Sequence, residues 1–431
     1  MPILHILWDD SHIWGLLAVR AARAMDLPHR LVRGRDVAQG LLARERPSLL
    51  LVPGGNARHK AESLGDAGIA AVRDYVRSGG RYLGFCGGAG LALTWEEKPQ
   101  GLGLCPWRRA GFDDRLQHFM SGHLHVVLPA QERWAVPVGV EHALPDSRRN
   151  SQRSGRTDES ERFAGETGRF AAGAAEHNRT ATDPEKNDQN ATGAAGNGPA
   201  MACPPLLPET MPESPRLPVW WPGRFAPEAS EGITVLASYD RPGDDFWLAD
   251  LPIADLPSDI FSTWQALYGL SLTPSFLVGQ PCVIHGCYGN GHYVLSYSHL
   301  ETPDSPQANR WLAHLLRALG GLSPSSDVLP PWRPRVASPL WDDPDLTHLA
   351  RLFEEVRETG LKHGQLFCRT DWLMGWRTGI PGANLNNLWA ALSLIRSLAP
   401  TEAARAYWNE RRERLIAAAE LFATGSIQYL L

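Results

Sequence analysis

The sequence predicts an α/β fold, a parallel sheet with helices on its faces, and three observations carry that expectation. Over residues 1–95 short, wholly apolar runs alternate with amphipathic ones, as in successive β-α units. Glycine-rich breaks such as Gly54-Gly55 and Gly79-Gly80 fall between them. A chain of 431 residues is also too long for one ordinary core, so two or three units are expected, at least one of them built on a sizeable buried sheet.

Residues 3–8 read as the first strand, and 13–25 as a helix with Leu16, Leu17, Ala21 and Ala24 at helical spacing. Residues 49–52 form a second, fully apolar strand that closes on Pro53-Gly54-Gly55. Residues 69–76 set Ile69, Val72 and Val76 on one helical face before Gly79-Gly80 ends the helix, and 81–85 give a third strand. Strands so continuously apolar are expected in a parallel sheet covered on both sides. Residues 101–145 turn to short strands and turns, 123–128 among them.

Residues 146–200 contain no Leu, Ile, Val, Met, Trp or Tyr, so they lack the apolar surface needed to offset ordering entropy. A disordered insertion is expected there, continuing through a proline-rich stretch to Pro218. Strand patterns return at 233–238 and 246–248. Residues 282–288 and 293–297 then read as a hairpin turning on Gly289-Asn290-Gly291. After an amphipathic helix at 308–319 the expected organisation is a linker at 323–339 and a helical region at 340–431, with helices at 346–358, 385–398 and 402–422. The α/β domain thus comprises 1–145 and 219–322, interrupted by 146–218.

A formal net charge of -5 offers no excess of cations for a large phosphate-binding face, so nucleic acid is not an expected partner. Asp9-Asp10 interrupts the opening apolar run too soon for a signal peptide or membrane span, and a soluble, cytoplasmic protein is expected. The cysteines Cys86, Cys105, Cys203, Cys282, Cys287 and Cys368 show no C-x-x-C or zinc-ribbon spacing and read as reduced thiols. There is no Walker A loop or Rossmann fingerprint, so no ATP, NAD or other cofactor is expected.

Chemistry concentrates at Gly84-Phe85-Cys86-Gly87-Gly88, between a buried strand and a short helix. This is the thiol counterpart of a nucleophile elbow, where small neighbours permit a strained turn and the helix N-terminus favours a thiolate. Taken alone, the pattern equally suits a small buried cysteine in a glycine turn. Far downstream, Ser298-His299-Leu300-Glu301 follows the hairpin. In extended chain His299 and Glu301 project to one side, so Glu301 can hold the imidazole while its other nitrogen faces a thiol. Backbone N–H groups of Gly55 and Gly87 are candidates for an oxyanion hole, although Pro53-Gly54-Gly55 also suits an ordinary turn.

These motifs in this order, with Leu51-Val52-Pro53-Gly54-Gly55, Tyr82-Leu83-Gly84-Phe85-Cys86-Gly87-Gly88, Ala237-Ser238-Tyr239 and Tyr288-Gly289-Asn290-Gly291 before His299-x-Glu301, resemble the biotin-protein ligase N-terminal domain family, over residues 2–320. That family belongs to the class I glutamine amidotransferase-like superfamily. The resemblance implies a flavodoxin-like three-layer sandwich, here carrying a C-terminal helical appendage. It implies a Cys86 nucleophile, a His299 base oriented by Glu301, and oxyanion donors at Gly55 and Gly87. The activity implied is that of a cysteine amidase or glutaminase acting on a small-molecule amide, with room for a synthetase or other protein partner as ammonia acceptor. Leu300 stands where the superfamily usually has proline, and residues 340–431 carry no Gly/Arg-rich adenylate loop, so biotinylation is not expected. Two other readings use the same residues: a cysteine hydrolase of peptides or γ-glutamyl compounds, and a non-catalytic interaction module.

Three further features are weighed. His123-x-His125 shares a strand face but lacks a third ligand, so no metal site is expected. Asp9-Asp10 sits where α/β sheets place their crevice, though a helix cap is the commoner role. Sixteen tryptophans, including Trp220-Trp221, Trp332, Trp341, Trp372 and Trp376, suit the packing of appended elements onto a core better than a binding platform.

Overall fold

The computed structural model describes residues 2–95, 97–111, 120–129, 204–228, 232–269, 272–334, 338–376 and 382–431. Its first elements are β1 (Leu4–Leu7), α1 (His12–Ala24), β2 (His29–Val32), α2 (Gly34–Ala38), α3 (Leu41–Glu45), β3 (Leu49–Val52), α4 (Ala57–Arg77), β4 (Arg81–Phe85) and α5 (Gly87–Ala92). Then come β5 (Arg108–Arg109), β6 (Met120–Val127), β7 (Arg216–Trp220), β8 (Phe225–Ala226), β9 (Thr234–Pro242), β10 (Trp247–Leu248) and β11 (Leu251–Pro252). They are followed by α6 (Ile260–Tyr268), β12 (Pro281–Tyr288), β13 (Gly291–Ser296) and α7 (Pro306–Ala318). The last are α8 (Pro344–Lys362), β14 (Leu366–Cys368), β15 (Met374–Trp376), α9 (Gly382–Arg396) and α10 (Glu402–Leu430).

The central sheet runs β11-β10-β6-β9-β12-β13-β4-β3-β1-β2, with β7 also paired to β6. From β13 to β2 every pairing is parallel, while β12, β9, β6 and β10 continue the sheet antiparallel. The wholly buried β1, β3 and nearly wholly buried β4 are the apolar runs read from the sequence. At the edge, β2 leaves two of its four residues exposed. The chain moves one way across the sheet through α1, from β1 to β2, and the other way through α4, from β3 to β4. Right-handed crossovers of opposite sense place those helices on opposite faces. The order therefore reverses between β1 and β3, and a crevice opens beyond their carboxyl ends, where Asp9-Asp10 and Pro53-Gly54-Gly55 lie.

Two differences from expectation bear on the site. The helix expected at 69–76 is preceded by a helical segment from Ala57, capped by the Asn56 side chain accepting from the Arg58 and His59 N–H groups, and the two meet at a kink at Gly65 (φ 59°, ψ 179°). The insertion expected to reach Pro218 gives way earlier to ordered chain: Leu206, Leu217 and Val219 are buried, and β7 pairs with β6. Proline obscured this strand in the sequence, yet Pro218 is compatible with it because β7 pairs with a strand, β6, on one side only among the described residues, and on the other Pro218 need only accept a hydrogen bond. The expected disorder of 146–200 falls outside the described residues, as does Cys203.

The stretch expected as a linker packs on the domain: Leu329 and Trp332 are buried, and the Leu329 N–H donates to Asn309 Oδ1. Beyond it, α8, α9 and α10 build the expected helical region around the β14-β15 hairpin. This region shares a core with α1. Ala18, Ala21 and Ala22 of α1 join the core of the sheet, whereas Ile13, Trp14, Leu16 and Leu17 pack with Leu346, Phe353, Trp372 and Trp389. Helix α1 is thus apolar on two faces because it is covered from two sides.

Candidate active site

Cys86 ends β4 and caps α5 with φ 46° and ψ −104°, a left-handed conformation that side-chain-bearing residues rarely adopt. The turn is held by Cys86 N–H donating to Ser296 O at 2.7 Å and Gly90 N–H donating to Cys86 O at 2.8 Å. The glycines around it have a stricter purpose than turn freedom. A Cβ on Gly88 would lie 1.9 Å from Val52 O, and one on Gly87 would lie 2.0 Å from Gly55 O. The elbow and the Pro53-Gly54-Gly55 loop therefore meet backbone to backbone. As the first residue of α5, Gly87 keeps an N–H that no intrahelical carbonyl can accept. Gly55, with φ 113°, lines the same cavity as Gly87 and Cys86.

His299 follows β13, and its N–H donates to Pro218 O at 2.8 Å, so the strand hidden by proline positions it. Its Nδ1 lies 2.8 Å from Glu301 Oε1, and both side chains are buried. Leu300, in place of proline, is fully buried and does not prevent this pairing. The ring packs against Trp14, tilted by 36° with centroids 4.3 Å apart, and a Cβ on Gly54 would stand 2.7 Å from His299 Cε1. His299 Nε2 is buried with no well-aligned hydrogen-bond partner, yet it is close enough to the Cys86 sulfur for each group to shift the other's titration.

Those shifts run in opposite senses. Burial pushes the Cys86 thiol up, but interaction with His299, assisted by Arg109, outweighs it and leaves the thiol below its ordinary value. Burial pushes His299 down, whereas the charge of Glu301 and the hydrogen bonds to Cys86 and Glu301 raise it above the ordinary imidazole range. Both directions favour a thiolate facing an imidazolium.

Cys86 opens into a cavity of about 580 Å³ lined by residues from distant parts of the chain. Trp14, Trp95, Trp220 and Trp221 form apolar walls, and Arg109 and Tyr297 lie beside the thiol. Tyr297 is buried and its hydroxyl has no hydrogen-bond partner among the described residues. The C-terminal region supplies Arg369, Leu373, Met374, Gly375, Asn384, Asn386 and Asn387. It is fastened there by Ile13 N–H donating to Asn387 Oδ1 at 3.1 Å and by Arg369 donating to Ser121 Oγ. The Arg369 guanidinium lies 5.5 Å over Trp220 and 4.8 Å over Trp247.

Of the residues singled out in the sequence, Cys86, Gly55 and Gly87 line one cavity, and the buried His299–Glu301 pair lies next to Cys86 without lining it. Sequence reasoning misses the tryptophan walls, Tyr297 and the contribution of residues 369–387. The one available signal was the concentration of tryptophan in the connecting segments. Trp14 stacks on Trp220, and Trp332 stacks on Trp372, as expected of aromatics that seat an appended region. Asp9 is not the expected cap of α1: its carboxylate accepts from Gly34 N–H, and Ser11 precedes the helix without a side-chain cap. Buried Lys60 ties this loop down by donating to Asp9 O at 2.7 Å and to Ser11 Oγ at 2.6 Å. His123 is engaged by Asp245 and Ser305, and His125 by Ser214.

The fold is a mixed α/β one that resembles a class I glutamine amidotransferase-like domain. Residues 43–95 match the family described as "Biotin-protein ligase, N terminal", so the resemblance read from the motifs holds from β3 through the elbow, including Gly55, Cys86 and Gly87. None of the curated proteins matches the chain in sequence. Among solved structures, a glutamine amidotransferase is 14% identical, with a TM-score of 0.35, covering 74% of this chain and 98% of its own. A putative ThuA-like protein from Bacteroides uniformis is 9% identical, with a TM-score of 0.37, covering 74% of this chain and 91% of its own. No helix among the described residues is long and apolar enough to cross a membrane.

Proposed function

We propose that the chain is a cysteine amidase acting on the carboxamide of a small molecule, with Cys86 as nucleophile, His299 as acid-base and Glu301 as the group that orients His299. One observation carries this reading: a wholly buried His299, held at 2.8 Å by Glu301, shifts the titration of a thiol mounted on a strained elbow at a helix N-terminus. Burial alone would quench that thiol. Its coupling to His299 has the sense a nucleophile needs.

The thiolate attacks the amide carbon, forming a C–S bond while the carbonyl π pair moves to oxygen. Gly55 and Gly87 N–H groups are the proposed donors to that oxyanion. As the tetrahedral species collapses, the C–N bond breaks and the imidazolium of His299 gives its proton to the departing ammonia, leaving a thioester. Neutral His299 then takes a proton from water, whose attack releases the acid and restores Cys86.

The deciding experiment is ammonia release from glutamine and a panel of primary amides and γ-glutamyl peptides, comparing wild type with Cys86→Ala. Release by wild type alone supports the amidase. Turnover of γ-glutamyl peptides without ammonia release would assign the pocket to peptide hydrolysis. The absence of Cys86-dependent turnover across the panel, with no covalent labelling of Cys86 by a glutamine-mimicking electrophile, would favour the interaction module.

A further inference from the structure

The β12-β13 hairpin carries a second group of reactive side chains at the end remote from Cys86. His285 and Cys287 are two residues apart on β12 and share a face, and Cys287 pairs directly with His292 on β13. His285 Nε2 lies 3.2 Å from His292 Nδ1, Cys287 Sγ lies 3.4 Å from the same nitrogen, and the three donor atoms all fall within 4.8 Å of one another. Four residues of strand from His292 to Ser296, roughly 13 Å, separate this group from the elbow that Ser296 supports. The proposed amidase chemistry does not use it.

We propose that His285, Cys287 and His292 form a zinc-binding site. With Zn–N bonds of about 2.0–2.1 Å and a Zn–S bond of about 2.3 Å, the edges of a tetrahedron are about 3.4 Å between nitrogens and about 3.5 Å from nitrogen to sulfur. The two measured separations approach those edges, so small side-chain adjustments bring the three donors around one ion. Imidazole and thiolate donors select a borderline-soft cation over magnesium or calcium.

The two histidines are buried and Cys287 is exposed, which gives the ion an entry path and leaves its fourth position to water. Burial raises the Cys287 thiol, with Arg81 acting against it, so the metal itself must drive deprotonation of the sulfur on binding. Binding replaces the S–H bond of Cys287 by an S–Zn bond and releases that proton to solvent. The ion would bind the two strands of the hairpin to each other.

The full chain, stripped of metal with a chelator, is titrated with Zn²⁺ alone against a chromophoric competitor. One equivalent should bind to wild type and to Cys86→Ala, and Cys287→Ser, His285→Gln and His292→Gln should each weaken binding by about tenfold or more. Co²⁺ should give a thiolate-to-metal charge-transfer band that Cys287→Ser lacks. Cys287→Ser is nearly isosteric at an exposed position, and its far-ultraviolet circular dichroism controls for folding. No binding to wild type would overturn the site and leave the 3.2 Å contact as an imidazole–imidazole hydrogen bond. Equal binding to Cys287→Ser, or loss with Cys86→Ala, would place the ion elsewhere.

Discussion

Buried His299 and partly buried Cys86 are each titrated against the sense that desolvation dictates. The thiol is held down and the imidazole up, with Glu301 closing the charge balance. This makes a signed prediction. For wild type, the rate of Cys86 alkylation by iodoacetamide, followed by peptide mapping, should reach half its plateau below the ordinary thiol value of about 8.5. In His299→Ala the partner is lost while burial remains, so that midpoint should move above the ordinary value and labelling at neutral pH should fall steeply. Coincident profiles would show that the two groups do not communicate.

At the scale of elements, the site is made by close backbone approach between the β3 loop and the β4-α5 elbow. Glycine at 87 and 88 keeps that approach open, and glycine at 54 leaves room for the rings behind the loop. Gly54 is the informative position, because an added methyl would meet the His299 and Trp14 rings at 2.7 and 2.8 Å. Gly54→Ala should therefore displace the imidazole and lower Cys86-dependent turnover by about 10²-fold or more, since misplacement of a reacting group by an ångström has effects of that order. Steady-state kinetics with the best amide of the panel, alongside the thermal midpoint, checks this. Unchanged turnover would mean that His299 adapts or does not act.

At the scale of the molecule, the C-terminal region covers the apolar outer face of α1 and walls the cavity. A chain ending at residue 339 would uncover Ile13, Trp14, Leu16, Leu17, Trp220 and Trp332, which pack with that region. At about 1.5–3 kcal/mol for each buried side chain, the loss is on the order of 10 kcal/mol, comparable to the stability of a whole domain. The truncated chain should aggregate or bind a hydrophobic dye strongly, as read by size-exclusion chromatography and dye fluorescence. A soluble monomer with the full-length thermal midpoint would show that the region is an independent appendage.

Local physics made much of this legible. Fully buried parallel strands must be continuously apolar, and a nucleophile elbow must be built from small residues, so β1, β3, β4 and Cys86 stand out in the bare sequence. His299 and Glu301 do pair, with leucine at 300, but across a turn closed by Thr302 N–H donating to His299 O at 3.1 Å and not by the alternation of an extended chain that the sequence reading assumed. Other features are not local. Pro218 masks a strand whose single partner is remote in sequence, and the tryptophans acquire meaning only when Trp14 meets Trp220 and Trp332 meets Trp372. The sequence by itself determined the buried parallel strands β1, β3 and β4 and the elbow that carries the thiol. Tertiary structure alone decided what encloses them, because cavity walls are set by contacts between residues hundreds of positions apart, such as Ile13 with Asn387 and Ser121 with Arg369.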